Sequence, residues 1–280
     1  MSEIDAHNHT EGPETWGSEH DGRLTAMIEV AQAAGNHTLT YFRQSGLVID
    51  AKADESPVTV ADREAEQLVR REIRSRFPQD TIQGEEFSEQ AGTSPYRWVV
   101  DPIDGTKSFV CGVPLYSTLL ALEFEGAPLA GIIFIPAMNE MVTASLGKGC
   151  WHRHPGEKNW VRTRVSDKSD LGQAVFVTSQ VDSFDKRGAT ERYQQLETAV
   201  WLTRSWGDGY GYLMVATGRA DIMVDPECNP WDVAAILPVI KEAGGRFSDW
   251  SGNATTRGGD GVGTNGKLHR LVLSVLMPTG

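Results

Sequence analysis

The 280-residue chain is long enough for one large domain or two closely packed halves, and its 40% hydrophobic and 23% charged residues are typical of a globular protein. Its formal net charge of −12 argues against nucleic acid and anionic membranes as partners, because both favour proteins with a surplus of Lys and Arg. The same charge leaves room for a small phosphorylated substrate, since bound divalent ions can reverse the local sign.

The cysteine content favours a reducing compartment. Cys111, Cys150 and Cys228 are odd in number and widely spaced, and they form neither a disulfide framework nor a Cys-x-x-Cys motif. No apolar run approaches the length that crosses a bilayer, and the polar N-terminus lacks the apolar core of a secretory signal. We therefore expect a cytoplasmic protein with no membrane partner.

Residues 1–22 are predicted to form a flexible N-terminal tail. They contain three of the seven histidines, namely His7, His9 and His20. A metal-binding arm is one interpretation of these histidines, and a frayed, solvated tail is the simpler one.

Two helices and a strand are predicted next. Apolar residues at helical spacing indicate a helix from Leu24 that ends near Gly46. Residues 59–62 have the form of a capping box, and the apolar face that follows predicts a second helix up to Pro78. Residues 81–83 then form a short strand.

An antiparallel sheet is predicted in the middle of the chain. The apolar runs 117–124 and 129–135 flank a turn at residues 125–128 and therefore indicate a hairpin. Further strands are expected at 141–145 and near Cys150-Trp151.

A second half is predicted to begin near Leu171. Strands at 174–178, 220–224 and 246–248 alternate with helices at 190–198, at 210–217 and after Asp232, and Pro238 should kink the last helix. This alternation predicts an α/β fold in layers. We divide the chain into residues 23–170, which carry the metal motif, and residues 171–280, which close the same cleft.

The candidate site begins where the apolar run Trp98-Val99-Val100 meets Asp-Pro-Ile-Asp-Gly-Thr at residues 101–106. Here two carboxylates lie three positions apart where a buried strand is expected to stop, and the Gly-Thr pair leaves backbone N–H groups to face an anion. Glu85 and Glu86 end another predicted strand, and Asp232 follows far downstream in Pro-Trp-Asp.

Each of these acidic residues also has an ordinary structural explanation. Asp62 suffices as part of a helix cap, Asp104-Gly105 is a common turn pair, and Asp232 would balance a helix dipole. Grouped carboxylates, however, repel one another unless a cation compensates them. Together they predict a hard-cation site beside a phosphate cradle, which indicates a metal-dependent phosphatase.

Three segments resemble the inositol monophosphatase family of lithium-sensitive, magnesium-dependent phosphatases. They are Gly84-Glu85-Glu86, residues 98–106 and Trp231-Asp232-Val233-Ala234-Ala235. The resemblance runs from about Leu24 to the C-terminus. It implies a layered αβαβα sandwich, a homodimer, and a small phosphate ester as substrate.

The resemblance also implies a set of metal ligands for two or three Mg²⁺ ions. Glu85, Asp101 and the Ile103 carbonyl are similar to ligands of a first ion, and Asp101, Asp104 and Asp232 to ligands of a second. Such oxygen-only ligation suits Mg²⁺. Two ions of this kind can activate water for direct hydrolysis to an alcohol and inorganic phosphate.

Catalytic and phosphate-binding roles follow from the same motifs. By resemblance, Thr106 passes the hydrogen bond of a water to Asp62, and Glu85 completes the catalytic group. The N–H groups of Gly105 and Thr106 would hold phosphate oxygens. Lys52 matches a mobile loop that closes the site in relatives, and a surface lysine is its alternative interpretation.

The substrate is predicted from residues outside the metal motif. Residues 84–87, 106–114 and 204–212 look like the histidinol-phosphate phosphatase branch, where Asp208 replaces the small neutral residue of inositol-type enzymes. A carboxylate there suits the ammonium and imidazole of L-histidinol phosphate. Asp225 aligns with a position that is usually Glu, and Glu227 is a candidate to compensate. The predicted substrate-binding residues are Gly105, Thr106, Arg204, Asp208, Asp225 and Asp232.

Several alternatives stay open at this point. Inositol 1-phosphate or a range of sugar phosphates are alternative substrates. Trp206, Tyr210 and Tyr212 either stack on an imidazole or pack in the core. A non-catalytic metal- or phosphate-binding protein is the alternative of another class, although a pure binder would not need Thr106 and Asp62 as a water-orienting pair.

Overall fold

The protein is a stack of alternating helical and sheet layers, seen in a computed structural model that describes residues 12–16, 19–52 and 56–277. The α-helices are α1 Arg23–Thr38, α2 Val60–Arg76, α3 Thr106–Val110, α4 Asp182–Lys186, α5 Thr190–Ala199, α6 Asp208–Ala216, α7 Pro230–Val233, α8 Ile236–Glu242 and α9 His269–Leu276. Short 3-10 helices occur at Pro13–Thr15, Glu19–Gly22, Pro136–Met138 and Leu171–Gln173.

The strands belong to three sheets. They are β1 Ile49–Ala51, β2 Pro57–Thr59, β3 Thr81–Gly84, β4 Tyr96–Asp104, β5 Ser117–Phe124, β6 Ala127–Ile135, β7 Glu140–Ser145, β8 Gly149–Arg153, β9 Val161–Thr163, β10 Val175–Val177, β11 Leu202–Arg204, β12 Ile222–Asp225, β13 Arg246–Ser248 and β14 Gly261–Thr264. Strands β3 to β9 form one sheet in chain order, with only the β3–β4 pair parallel among its described strands. A second sheet has the order β11-β10-β12-β14-β13, and β1 pairs with β2.

Five layers result from how these elements pack. Helices α1 and α2 cover one face of the larger sheet through an apolar cluster that includes Met27, Val69 and Trp98. Helices α6 and α8 lie between the two sheets, and α5 and α9 cover the outer face of the second sheet. The predicted α/β class and αβαβα layering are therefore confirmed.

Helix α2 begins where the capping box predicts. The Thr59 side chain accepts from the Ala61 N–H at 3.1 Å, and Asp62 Oδ2 accepts from the Thr59 N–H at 2.8 Å. The helix ends at Arg76, just before Pro78. Helix α1, in contrast, ends at Thr38 and not near Gly46, because the chain turns there to bury Phe42 against Phe109 and Tyr116.

Strand β4 does not stop at Asp101 as the sequence predicts. It continues through Pro102 to Asp104, with a bulge in its pairing to β5. Asp101 lies opposite Leu119 and Asp104 opposite Ser117, so β4 carries one extra residue over this interval. A regular strand would point two residues three positions apart to opposite faces, and the bulge removes this alternation.

The helix predicted from Asp232 is divided into α7 and α8 ahead of Pro238, but Ala234 and Ala235 keep right-handed helical dihedral angles, so the interruption is in the hydrogen bonding. Pro238 lacks an N–H, so it cannot bond to the carbonyl of Ala234, and the two helices separate at residues 234–235. Helix α7 begins at Pro230, two residues before Asp232, because Asn229 is its N-cap and Asp232 occupies the N3 position of that capping box.

Part of the predicted N-terminal tail lies against the folded chain. Trp16 is only 4% exposed in the cluster under α1, and His20 Nδ1 lies 3.1 Å from the Tyr96 hydroxyl. His7 and His9 lie outside the described residues, and the division at residues 22 and 170 stays a prediction. Among the residues that the structure describes, no helix is both long and apolar enough to span a bilayer.

Candidate active site

Three carboxylates from distant parts of the sequence converge at the C-terminal end of strand β4 in the larger sheet. Asp101 and Asp104 come from the bulged end of β4, and Asp232 comes from the first turn of α7, which packs against β4. One oxygen of each residue lies within 4.8 Å of the others. The bulge therefore places Asp101 and Asp104 together, and the capping box of α7 supplies the third group.

Asp101 and Asp104 are buried, and Asp232 is partly buried. Asp101 is 2% and Asp104 8% exposed. Burial, and then the neighbouring carboxylates, raise the pKa values of both well above the usual range. Burial also raises the pKa of Asp232 to about 7. A cluster of hard oxygen donors that carries unfavourable negative charge suits a divalent cation such as Mg²⁺.

Glu85 approaches this cluster from the end of β3. Its charge is, after burial, the largest cause of the raised pKa of Asp101. Glu85 Oε1 and Glu86 Oε1 each accept a hydrogen bond of 2.6 Å from the Lys52 ammonium group. Burial alone would lower the pKa of Lys52, but these two bonds raise it overall. Lys52 is thus a cation at the site and not a free surface lysine.

Thr106 connects the metal motif to helix α2. Its hydroxyl lies 3.3 Å from Asp62 Oδ1 and 3.0 Å from the Ile103 carbonyl oxygen. Asp62 Oδ2 is occupied by the N–H and hydroxyl of Thr59, so Oδ1 faces Thr106. Burial raises the pKa of Asp62, which makes its carboxylate a better proton acceptor than an exposed one.

Asp208 lies directly against Gly105. A Cβ at Gly105 would come within 2.6 Å of Asp208 Oδ2, and Gly105 itself has a φ of +82°. Asp208 also has a left-handed φ of +54°, which is uncommon for a non-glycine residue and often occurs at functional sites. The fold therefore places the carboxylate of a residue with an uncommon backbone conformation beside the predicted phosphate-binding residues.

A serine links two of the predicted substrate-binding residues. Ser179 Oγ accepts from the Asp208 N–H at 2.8 Å and donates to Asp225 Oδ1 at 2.6 Å. Burial raises the pKa of Asp225 to about 7. Ser179 was not among the predicted site residues, although it follows β10 at the same end of the second sheet where β12 ends in Asp225, and polar residues at such strand ends commonly bind ligands.

Two other predicted contacts are not part of this cluster. The Arg204 side chain is exposed, and its Nη1 donates to the Thr203 carbonyl. Tyr212 is 1% exposed and packs against Phe247 in the core between the sheets. The core interpretation is therefore correct for Tyr212, and no described contact joins Arg204 to the carboxylates.

Asp104 is held by partners that the motif did not reveal. Its Oδ2 accepts hydrogen bonds from the Ser117 hydroxyl and from the N–H of Gly209. Ser117 was visible only as the first residue of a predicted strand, and Gly209 only as the neighbour of Asp208. The Ser117 contact follows from the β4–β5 register, in which Asp104 lies opposite Ser117, and the Gly209 contact follows from the packing of α6 against this sheet.

Comparisons with known proteins agree with this geometry. The model of the inositol monophosphatase family matches residues 20–277. The chain is 38% identical to the histidinol-phosphatase of Chlorobaculum parvum, over 90% of this chain and 96% of the relative. It is also 38% identical to the histidinol-phosphatase of Mycobacterium tuberculosis, over 92% and 98% respectively. The solved structure of the Thermotoga maritima IMPase is 30% identical and has a TM-score of 0.80, covering 91% of this chain and 96% of that one.

Proposed function

Because this chain belongs to the inositol monophosphatase family and is a phosphoric monoester hydrolase, we propose that it converts L-histidinol phosphate into L-histidinol and phosphate in a Mg²⁺-dependent reaction. The histidinol-phosphatase relatives favour an enzyme over the alternative of a non-catalytic binding protein. The bound Mg²⁺ would be held by Glu85, Asp101, Asp104, Asp232 and the Ile103 carbonyl. It would supply charge neutralisation and a lower pKa for water.

The residues around Thr106 would orient the attacking water. The Thr106 hydroxyl has one proton and lies within hydrogen-bond distance of both the Ile103 carbonyl and Asp62 Oδ1. With that proton directed to Asp62 Oδ1, the lone pairs of the hydroxyl oxygen would accept a hydrogen bond from water. As the water attacks phosphorus, its proton would pass to Thr106 and the threonine proton to Asp62. The raised pKa of the buried Asp62 carboxyl supports its role as the proton acceptor.

The observation that carries the substrate assignment is the Asp208 carboxylate beside Gly105. In L-histidinol phosphate the ammonium-bearing carbon is bonded to the carbon that carries the ester oxygen. A phosphate held by the Gly105 and Thr106 N–H groups therefore brings that ammonium close to Asp208. A neutral inositol ring offers no positive charge for this carboxylate.

Turnover assays test this proposal directly. We expect phosphate release from L-histidinol phosphate to stop with EDTA and to return with Mg²⁺. Its kcat/KM should exceed that for inositol 1-phosphate and for fructose 1,6-bisphosphate by about tenfold or more. Turnover that resists EDTA would contradict the metal dependence, and equal or faster hydrolysis of inositol 1-phosphate would contradict the substrate.

The proposal includes a cytoplasmic homodimer. The dimer rests on the family resemblance, and the location is supported by Cys111, Cys150 and Cys228, which are free in the structure. Light scattering coupled to size-exclusion chromatography would test the dimer.

A further inference from the structure

Helix α2 presents a row of polar side chains to the segment that carries Glu85. Asp62, Glu66 and Arg70 are spaced four residues apart and therefore lie on one face of the helix. Asp62 faces Thr106, whereas Glu66 and Arg70 face residues 84–87. Neither Glu66 nor Arg70 lies in the three segments, around residues 84–86, 98–106 and 231–235, on which the resemblance to the family was based.

Glu66 contacts the chain on both sides of Glu85. Its Oε2 accepts the Glu86 N–H at 2.7 Å. A Cβ at Gly84 would lie only 2.1 Å from Glu66 Oε1, so the carboxylate is packed against the glycine backbone. Only glycine at position 84 allows this approach. Glu66 therefore contacts both neighbours of Glu85, namely Gly84 and Glu86, and so fixes the position of the Glu85 backbone.

Arg70 completes the arrangement. Its Nε donates to Glu66 Oε1 at 2.7 Å, and its Nη2 donates to the Phe87 carbonyl at 3.0 Å. One guanidinium group thus holds both the carboxylate and the far end of the segment. Residues 85–87 form a bend beyond the end of β3, so these side chains fix a stretch that is outside the sheet ladder.

Stability alone is a weak reason for this buried pair. Glu66 is fully buried, and desolvating a carboxylate and a guanidinium group costs about as much free energy as their attraction returns. An apolar pair would fill the same space without that cost. The hydrogen bond to the Glu86 N–H, however, is one that an apolar side chain cannot provide.

We propose that Glu66, held by Arg70, is a positioning residue that orients Glu85 toward Asp101 and so sets the affinity of the metal site. This inference rests on the metal-dependent reaction proposed above. Partners of metal ligands typically change metal affinity by about 10- to 100-fold when they are removed. We expect a loss of this size, because residues 84–87 would otherwise be free to relax away from Asp101.

Calorimetric titration of Mg²⁺ into the EDTA-treated, dialysed full chain tests the proposal without relying on activity. Glu66→Gln should bind Mg²⁺ about tenfold or more weakly than the wild type, and Arg70→Met should show a smaller loss. Asp221→Asn is the matched control. Asp221 is also fully buried and accepts a backbone N–H, from Val175 at 2.7 Å, and the Lys168 ammonium at 3.0 Å, but it immediately precedes β12 of the second sheet. The Asp221→Asn variant should have a lower melting temperature than the wild type and an unchanged Mg²⁺ affinity.

A double variant with Glu85→Gln locates the effect. If Glu66 acts through Glu85, the Mg²⁺ affinity of Glu66→Gln/Glu85→Gln should be close to that of Glu85→Gln alone. If the wild type binds Mg²⁺ and Glu66→Gln binds it equally tightly, the positioning role is overturned and the proposed function is not. If Glu66→Gln does not fold, the same comparison is made with Arg70→Met. A wild-type protein that binds no Mg²⁺ would overturn the proposed function itself.

Discussion

Each carboxylate of the central cluster accepts a hydrogen bond from its own surroundings. Asp101 Oδ1 accepts the Ile103 N–H at 3.1 Å, Asp104 accepts from Ser117 and Gly209, and Asp232 Oδ2 accepts the Asn229 N–H at 2.7 Å. These bonds fix the orientation of the carboxylates, and they only partly offset the cost of holding three like charges close together away from water. The site is therefore preorganised for a cation at the expense of local stability.

Replacing Asp101 with Asn should separate activity from stability. The Asp101→Asn variant keeps the shape of the side chain but removes one negative charge, so we expect kcat to fall by about 10³-fold or more. In EDTA at pH 7.5 its melting temperature should equal or exceed that of the wild type, since charge repulsion is relieved. Phosphate-release assays and thermal scans measure both.

The exposed Asp167, which pairs with Lys267 at 3.3 Å, offers the control. Asp167→Asn should change neither kcat nor melting temperature appreciably. A fully active Asp101→Asn variant would contradict the role of Asp101 as a ligand.

Asp208 is the residue that we expect to decide between substrates. Asn tolerates a left-handed φ, so Asp208→Asn removes the charge with little effect on the backbone. A hydrogen bond to a charged group contributes about 1.5–3 kcal/mol, so kcat/KM for L-histidinol phosphate should fall by about 10- to 100-fold. The value for inositol 1-phosphate should stay the same or rise. Parallel loss on both esters would argue against a contact with the substrate ammonium.

Among the elements, the bulge of β4 is the one that brings Asp101 and Asp104 together. Without it, Asp101 and Asp104 would alternate across the sheet as their spacing of three dictates. The extra residue lies beside Pro102, whose carbonyl accepts from Thr118 at 2.9 Å, and proline is tolerated at bulges because it has no N–H to pair. The Asp-Pro-Ile-Asp sequence therefore encodes a deformed strand end.

His269 in helix α9 should make the free energy of unfolding depend on pH. His269, at its start, is buried between the hydroxyls of Ser248 and Thr264, at 2.9 and 3.1 Å. Burial lowers its pKa to about 4, whereas an unfolded histidine titrates near 6.5. Between these values the unfolded chain binds the proton more tightly, so stability is complete above about pH 6.5 and falls as the pH drops toward 4.

Urea unfolding at about pH 7.5 and 5 measures this dependence. We expect the wild type to lose free energy of unfolding over this interval, and His269→Gln to lose less, because Gln does not titrate there. The same pH dependence in both proteins would show that other groups are responsible.

At the scale of the whole molecule, the site lies where the two sheets meet. β4 contributes Asp101 and Asp104 from the larger sheet, β12 contributes Asp225 from the second, and α6, which lies between them, brings Asp208. The cluster thus depends on both halves of the chain, and a cation bound there should stabilise the packing of the sheets against each other.

Metal removal should therefore change stability in a pH-dependent way. The pKa of Asp232 is about 7 in the folded protein, against about 3.9 for an unfolded aspartate. Between these values the folded state binds the proton more tightly, so the EDTA-treated protein should lose stability as the pH rises from about 4 to 7. Mg²⁺ should remove this loss, because a bound cation would replace the proton.

The increase in melting temperature on adding Mg²⁺ should consequently be larger at about pH 7.5 than at about pH 5.5. Taking the difference between Mg²⁺ and EDTA samples at each pH cancels the separate effect of His269. An increase that is the same at both pH values would contradict proton competition at the carboxylate cluster.

The sequence by itself determined the local elements and the chemistry of the candidate site. The capping box of α2, the hairpin of β5 and β6 and the motif at residues 101–106 are local patterns, because helix periodicity, turn residues and ligand types can be read within short segments. Only the tertiary structure placed Lys52 between Glu85 and Glu86, Ser179 between Asp208 and Asp225, and Glu66 against Gly84. These contacts join residues between 18 and 46 positions apart, so they depend on strand register and layer packing, which no short stretch of sequence specifies.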